Sequence, residues 1–203
     1  MKFLYLFLFS IITSSITMGG WKEVKDFQES NDIKIYQAIQ KAKEGFLIRV
    51  NSMNPDAFDI RPLGLYTQLV NGVNYRVIFA TNTNIPGRND LRIHDYTYTL
   101  LPIQNNQNSM ERMWSDEFAN ENDLDFDNVS LNSPKFSKIH SEISKYLINR
   151  NSKLNYVSTI GSVNVNGVNY FGVYAKVTGK DNESSFVVVQ NDDGTFTVLE
   201  EFN

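Results

Sequence analysis

Val70-Asn71-Gly72-Val73-Asn74-Tyr75 returns 95 residues later as Val165-Asn166-Gly167-Val168-Asn169-Tyr170, matched without a break. Self-similarity at a fixed spacing marks a repeated structural unit. Asn-Gly between alternating or β-branched segments is a hairpin corner, because both residues tolerate positive φ. Ala80 and Ala175 fall in the same register, each ending an apolar, strand-like run. Both copies therefore read as a hairpin.

Working outward, each hairpin is preceded by a helical pattern. Ile35, Ile39, Ala42 and Phe46 recur on one face, as do Phe136, Ile139, Ile143, Tyr146 and Leu147. Ser133-Pro134 supplies a cap and a first-turn proline for the second helix. Downstream, Leu91–Leu100 is rich in β-formers, and Met110–Trp114 is a shorter candidate strand. In the second half Ser185–Gln190 and Thr195–Leu199 flank the corner Asn191-Asp192-Asp193-Gly194. Each half is expected to be one helix followed by four hairpin-linked strands, an antiparallel sheet wrapped around a single helix in an α+β fold. Asp116, Glu117, Glu121, Asp123, Asp125 and Asp127 make the stretch between the halves read as a solvated linker. The expected organisation is residues 18–115, an acidic linker over 116–130, and residues 131–203, each half with its own core.

Composition narrows the chemistry. The chain has 203 residues, 41% hydrophobic and 21% charged, with net charge −4 and no cysteine. That is globular, offers no basic footprint for nucleic acid, and excludes a thiol nucleophile, disulfides and thiolate metal sites. His94 and His140 are the two histidines. His94, on an alternating strand, is expected at the surface, and His140 is expected to face water. Neither has a ligand-spaced partner, so no metal and no cofactor is expected. No phosphate loop, Gly-x-Ser-x-Gly elbow or His-Glu-x-x-His pattern is present, and an enzyme ranks last.

The N-terminus has the order of a secretory signal. Lys2 is followed by the apolar run Phe3–Ile12 and by small residues through Thr17, with cleavage after Ser15 or Thr17. Residues 1–17 are thus expected to be removed, leaving no membrane anchor. The sequons at Asn128 and Asn182 fit that route as weak glycosylation candidates. The expected location is extracellular, or the lumen of a lysosome-like compartment.

Three short segments carry a family resemblance. Met18-Gly19-Gly20-Trp21 resembles the N-terminal glycine region of the cystatins, Gln68-Leu69-Val70-Asn71-Gly72 their Gln-x-Val-x-Gly hairpin, and Leu101-Pro102-Ile103 their second hairpin, with Ile103 in place of tryptophan. The likeness runs over about residues 19–114 with the order of elements kept. It implies a tandem of cystatin-like units. It also implies an inhibitor of papain-like, cathepsin-type cysteine proteases, reversible and competitive. Gly19, Gly20, Gln68, Leu69, Val70, Asn71, Gly72, Leu101, Pro102 and Ile103 would form its protease-binding wedge. Replacing tryptophan removes aromatic area of the kind that anchors interfaces, so weaker or more selective binding is expected on that side. The second half departs from the pattern. Val163 stands where glutamine is expected, and no glycine start precedes its helix.

Bland readings stand beside these. Asn71-Gly72 could be a plain corner, as the identical Asn166-Gly167 suggests, Pro102 a strand terminator, and Trp21 a residue packed on the sheet. A secreted binding module that reuses the fold without touching proteases stays open. So does a joint clamp of both halves on a metalloprotease. A monomer is expected, with a domain-swapped dimer as the variant.

Overall fold

The computed structural model describes residues 20–70, 72–85, 88–101 and 120–203. The signal segment, Met110–Trp114, Gly19, Asn71, Pro102 and Ile103 lie outside the described residues. The first half consists of β1 (Lys22–Glu23), α1 (Ile33–Arg49), β2 (Phe58–Val70), β3 (Gly72–Thr83), β4 (Arg92–Leu100) and β5 (Asn120–Leu124). The second repeats that order with β6 (Asp127–Asn128), α2 (Pro134–Ile148), β7 (Leu154–Val165), β8 (Val168–Val177), β9 (Glu183–Gln190) and β10 (Phe196–Phe202). Each half forms a five-stranded antiparallel sheet, ordered β1-β2-β3-β4-β5 and β10-β9-β8-β7-β6. The class is α+β. Each half has one short strand ahead of its helix that the hydrophobic pattern did not announce.

Both helices start where local chemistry dictates. The Asp32 carboxylate accepts the Lys34 N–H at 2.9 Å, and the Ser133 hydroxyl accepts the Phe136 N–H at 3.1 Å. The apolar face of α1 (Ile35, Ala38, Ala42 and Phe46) buries against Leu65, Tyr75, Val77, Phe79, Tyr96 and Tyr98. Ile139, Ile143 and Leu147 of α2 bury against Phe171, Val173, Phe186 and Val188.

Two corrections follow from the other face of each sheet. Ile78, Ala80, Leu91 and Ile93 of the first half pack with Val165, Tyr170, Val187 and Phe202 of the second as a third core between the sheets. Each half keeps its own core under its helix, and the two halves share this third one besides. Polar contacts cross the same boundary. Arg61 donates to Glu200 at 3.0 Å, the Leu91 N–H to the Tyr174 hydroxyl at 3.0 Å, and the Asn89 side chain to the Glu183 carbonyl at 3.2 Å. The second correction concerns the acidic stretch. Residues 120–124 are an edge strand paired with β4, and Asp127–Asn128 pairs with β7. Leu124 and Phe126, both partly buried, pack against the third core, so two apolar side chains outweigh the run of carboxylates around them.

His94 is the third correction. It is 1% exposed, lying under α1 with its ring stacked on Phe79 and its Nε2 at 2.8 Å from the Thr81 hydroxyl. Both faces of this sheet are covered, so strand alternation does not separate wet positions from dry ones. His140 is half-buried beside Phe136, their ring centroids 5.8 Å apart.

The identical hexapeptides do not turn alike. Around the second, Val165 pairs with Val168, and Asn166 (φ 53°) and Gly167 (φ 87°) form a two-residue corner. Around the first, Val70 pairs with Gly72 and Leu69 with Val73, one residue out of step with the second. A one-residue difference in register sends every following side chain to the opposite face. Tyr75 lies under α1, whereas Tyr170 lies between the sheets. Ala80 and Ala175 are likewise reversed.

Candidate functional site

One end of the first sheet gathers the described members of the predicted wedge. β2 ends and β3 begins there. β1 enters with Lys22 opposite Thr67, which brings Gly20 and Trp21 alongside Gln68 and Leu69. β4 leaves there too, with Leu100 opposite Val73, so Leu101 stands beside Gly72. Leu69 and Leu101 are 63% and 41% exposed. Gly20 is exposed, and a methyl group added to it would meet no atom within 4 Å. Gln68, Val70 and Gly72 are half-buried. None of these side chains is charged.

Hydrogen bonds stiffen this end. The Asn74 amide donates to Gln68 Oε1 at 3.3 Å, and the Thr99 hydroxyl donates to Asn74 Oδ1 at 2.7 Å, tying β2, β3 and β4 side to side. Gln68 thus joins a cross-strand ladder and does not project from the tip. Gly72 carries the tightest constraint. Its φ is +121°, and a Cβ there would sit 2.5 Å from the Leu100 carbonyl oxygen. Glycine at position 72 is a condition of the start of β3 and the end of β4 lying this close together, whatever they bind.

The corresponding end of the second half is used internally. Val163, where glutamine was expected, and Val165 and Val168 at the corner pack into the core between the sheets. Asn164 donates to Asn169 Oδ1 at 2.8 Å and accepts the Gly167 N–H at 3.0 Å. Those bonds support a plain corner.

Sequence reasoning missed what lies behind the wedge, on the sheet face turned toward the second half. Arg76 and Asp95 pair there, Arg76 Nε donating to Asp95 Oδ1 at 2.7 Å, with side chains 15% and 5% exposed. Tyr66 and Tyr170 adjoin them, and burial raises the pKa of both phenols above the ordinary tyrosine value. Glu23, Leu63, Gly64, Tyr66, Tyr170 and Leu199 are among the lining of a cleft of about 330 Å³ at the mouth between the sheets. The clue was Arg76 opposite Asp95's strand, invisible until pairing was known. Asn128 and Asn182, the two sequon asparagines, are exposed. Among the described residues no three His, Asp or Glu side chains converge as a metal site, and no helix is long and apolar enough to cross a membrane.

Compared with models of known protein families and with curated protein sequences, the chain matches none.

Proposed function

We propose that this chain is a secreted, reversible, competitive inhibitor of papain-like cysteine proteases, two cystatin-like units in tandem, with the inhibitory wedge on the first. The observation that carries the reading is the convergence of Gly20, Leu69, Val70, Gly72 and Leu101 at one sheet end. An inhibitor that is not cut must fill a cleft without offering a peptide bond to the nucleophile. A rigid, uncharged, tightly turned edge does that at low cost in entropy and desolvation. The register difference between the two identical hexapeptides supports the same reading. The first corner is shaped by its neighbour Leu100, whereas the second is a plain two-residue turn. With Val163, Val165 and Val168 committed to the inner core, one protease per chain is the expected stoichiometry.

The test is a tight-binding titration of the chain starting at Ile16 against active-site-titrated papain. Inhibition at a 1:1 end point, with the inhibitor uncut, is the expected outcome. Leu69→Glu should abolish it while leaving the fold intact, because Leu69 is already exposed. No inhibition at micromolar concentration by a folded sample would overturn the reading. The second reading, a binding module unrelated to papain-like proteases, draws its support from the cleft between the sheets, and inhibition of a metalloprotease panel would be assayed next.

A further inference from the structure

Beyond the wedge residues themselves, one side chain ties the trunk to the body of the protein. Trp21 directly follows the exposed Gly20. Its ring lies over the Arg76 guanidinium, 5.7 Å from Cζ to ring centroid. Arg76 is held flat by its two hydrogen bonds to Asp95, so it presents a fixed planar face, the geometry on which an aromatic ring stacks. Beneath the pair the second half closes the space. Tyr66 stands opposite Arg76 on β2, and Tyr170 from the second half lines the same cleft as Tyr66.

The rest of β1 holds the chain weakly. It pairs over two residues, Lys22 and Glu23, whose side chains are exposed, followed by one further bond from the Val24 N–H to the Leu65 carbonyl at 2.8 Å. Among the described residues Trp21 is therefore the first side chain able to fix where Gly20 leaves the sheet. We infer that Trp21 is a positioning residue. Clamped on the Arg76–Asp95 pair, it fixes where Gly20 leaves the sheet and lowers the ordering cost when a protease is bound. The inference rests on the wedge reading, and it also assigns the second half a part in inhibition, as the backing of that clamp.

A paired experiment separates the two. First, 15N relaxation at Gly20 in the free protein reads the clamp without any protease. Trp21→Ala should lower the order parameter at Gly20 from the rigid range toward the flexible one, and Trp21→Phe should restore most of it. Second, dissociation from papain is measured for chains starting at Ile16 and at Trp21. In the longer chain Trp21→Ala should speed dissociation about tenfold, the scale of one lost cation–π contact. In the shorter chain, where Gly20 and everything before it is gone, the same substitution should change it by less than about twofold. An unchanged order parameter at Gly20, or an equal loss in both chains, would overturn the positioning role. A wild type that does not inhibit overturns the wedge reading, and the relaxation at Gly20 still decides whether the clamp exists.

Discussion

At position 72 two independent constraints meet. A φ of +121° is strained for any L-residue, and the first side-chain carbon would lie 2.5 Å from the Leu100 oxygen. Gly167 shares the positive φ, at +87°, but has open space around it. Gly167→Ala should then cost about 1 kcal/mol, the backbone term alone. Gly72→Ala should cost about 2–3 kcal/mol, because β4 must also retreat. Urea unfolding of the two variants checks the ranking, and equal costs would show that the β3–β4 spacing yields easily. The comparison governs how function is probed. A charge placed at residue 72 would move the hairpin before it met any protease, whereas one placed at Leu69 would not.

Among the elements, the segment joining the halves shows how much local sequence can hide. Phe126 sits between Asp125 and Asp127, yet its ring covers the cross-strand pair Gly161–Gly172 on the face of β7 and β8 turned away from α2. A Cβ on Gly172 would come 2.6 Å from that ring, and one on Gly161 would come 2.6 Å from the Phe126 Cβ. Two glycines facing one another leave a trough, and an aromatic side chain fills it. Phe126→Ala should cost about 2–3 kcal/mol, less than a fully buried phenylalanine. Gly172→Ala should cost a similar amount alone and little in the Phe126→Ala background. Such coupling in a double-mutant cycle is the signature of a shared contact. Additive costs would separate the glycine from the ring. The helices and most corners were legible because caps, turn residues and a 3.6-residue period are local. Phe126, buried His94 and the reversed faces of Tyr75 and Tyr170 were not. Each depends on which surface lies opposite, or on a single residue of turn length, and neither is written in the segment itself.

Over the whole molecule, the core between the sheets makes one cooperative unit from two similar halves. A chain ending at Leu124 would expose Ile78, Ala80, Leu91 and Ile93 together, an apolar patch that drives association. The full chain should therefore unfold in a single transition seen alike by far-ultraviolet and tyrosine signals, and the isolated first half should bind hydrophobic dyes or self-associate. Tyr66, Tyr170 and Tyr174 sit along this boundary, and burial is the largest cause raising the pKa of each. An unfolded tyrosine ionises near pH 10, so above that pH the unfolded chain releases protons that the folded chain still holds. Stability contributed by these phenols is thus complete below about pH 10 and is lost as pH rises toward their folded values. Chemical unfolding at a series of alkaline pH values should show a level line to about pH 9 and a fall beyond about pH 10. Tyr170→Phe should make that fall shallower, since one strongly shifted group no longer titrates. It should leave the Arg76–Asp95 pair beside it intact, so that the neutral-pH loss stays near the cost of one hydrogen bond, about 1 kcal/mol. An unchanged alkaline slope in Tyr170→Phe would mean that the boundary between the sheets already admits water to that hydroxyl.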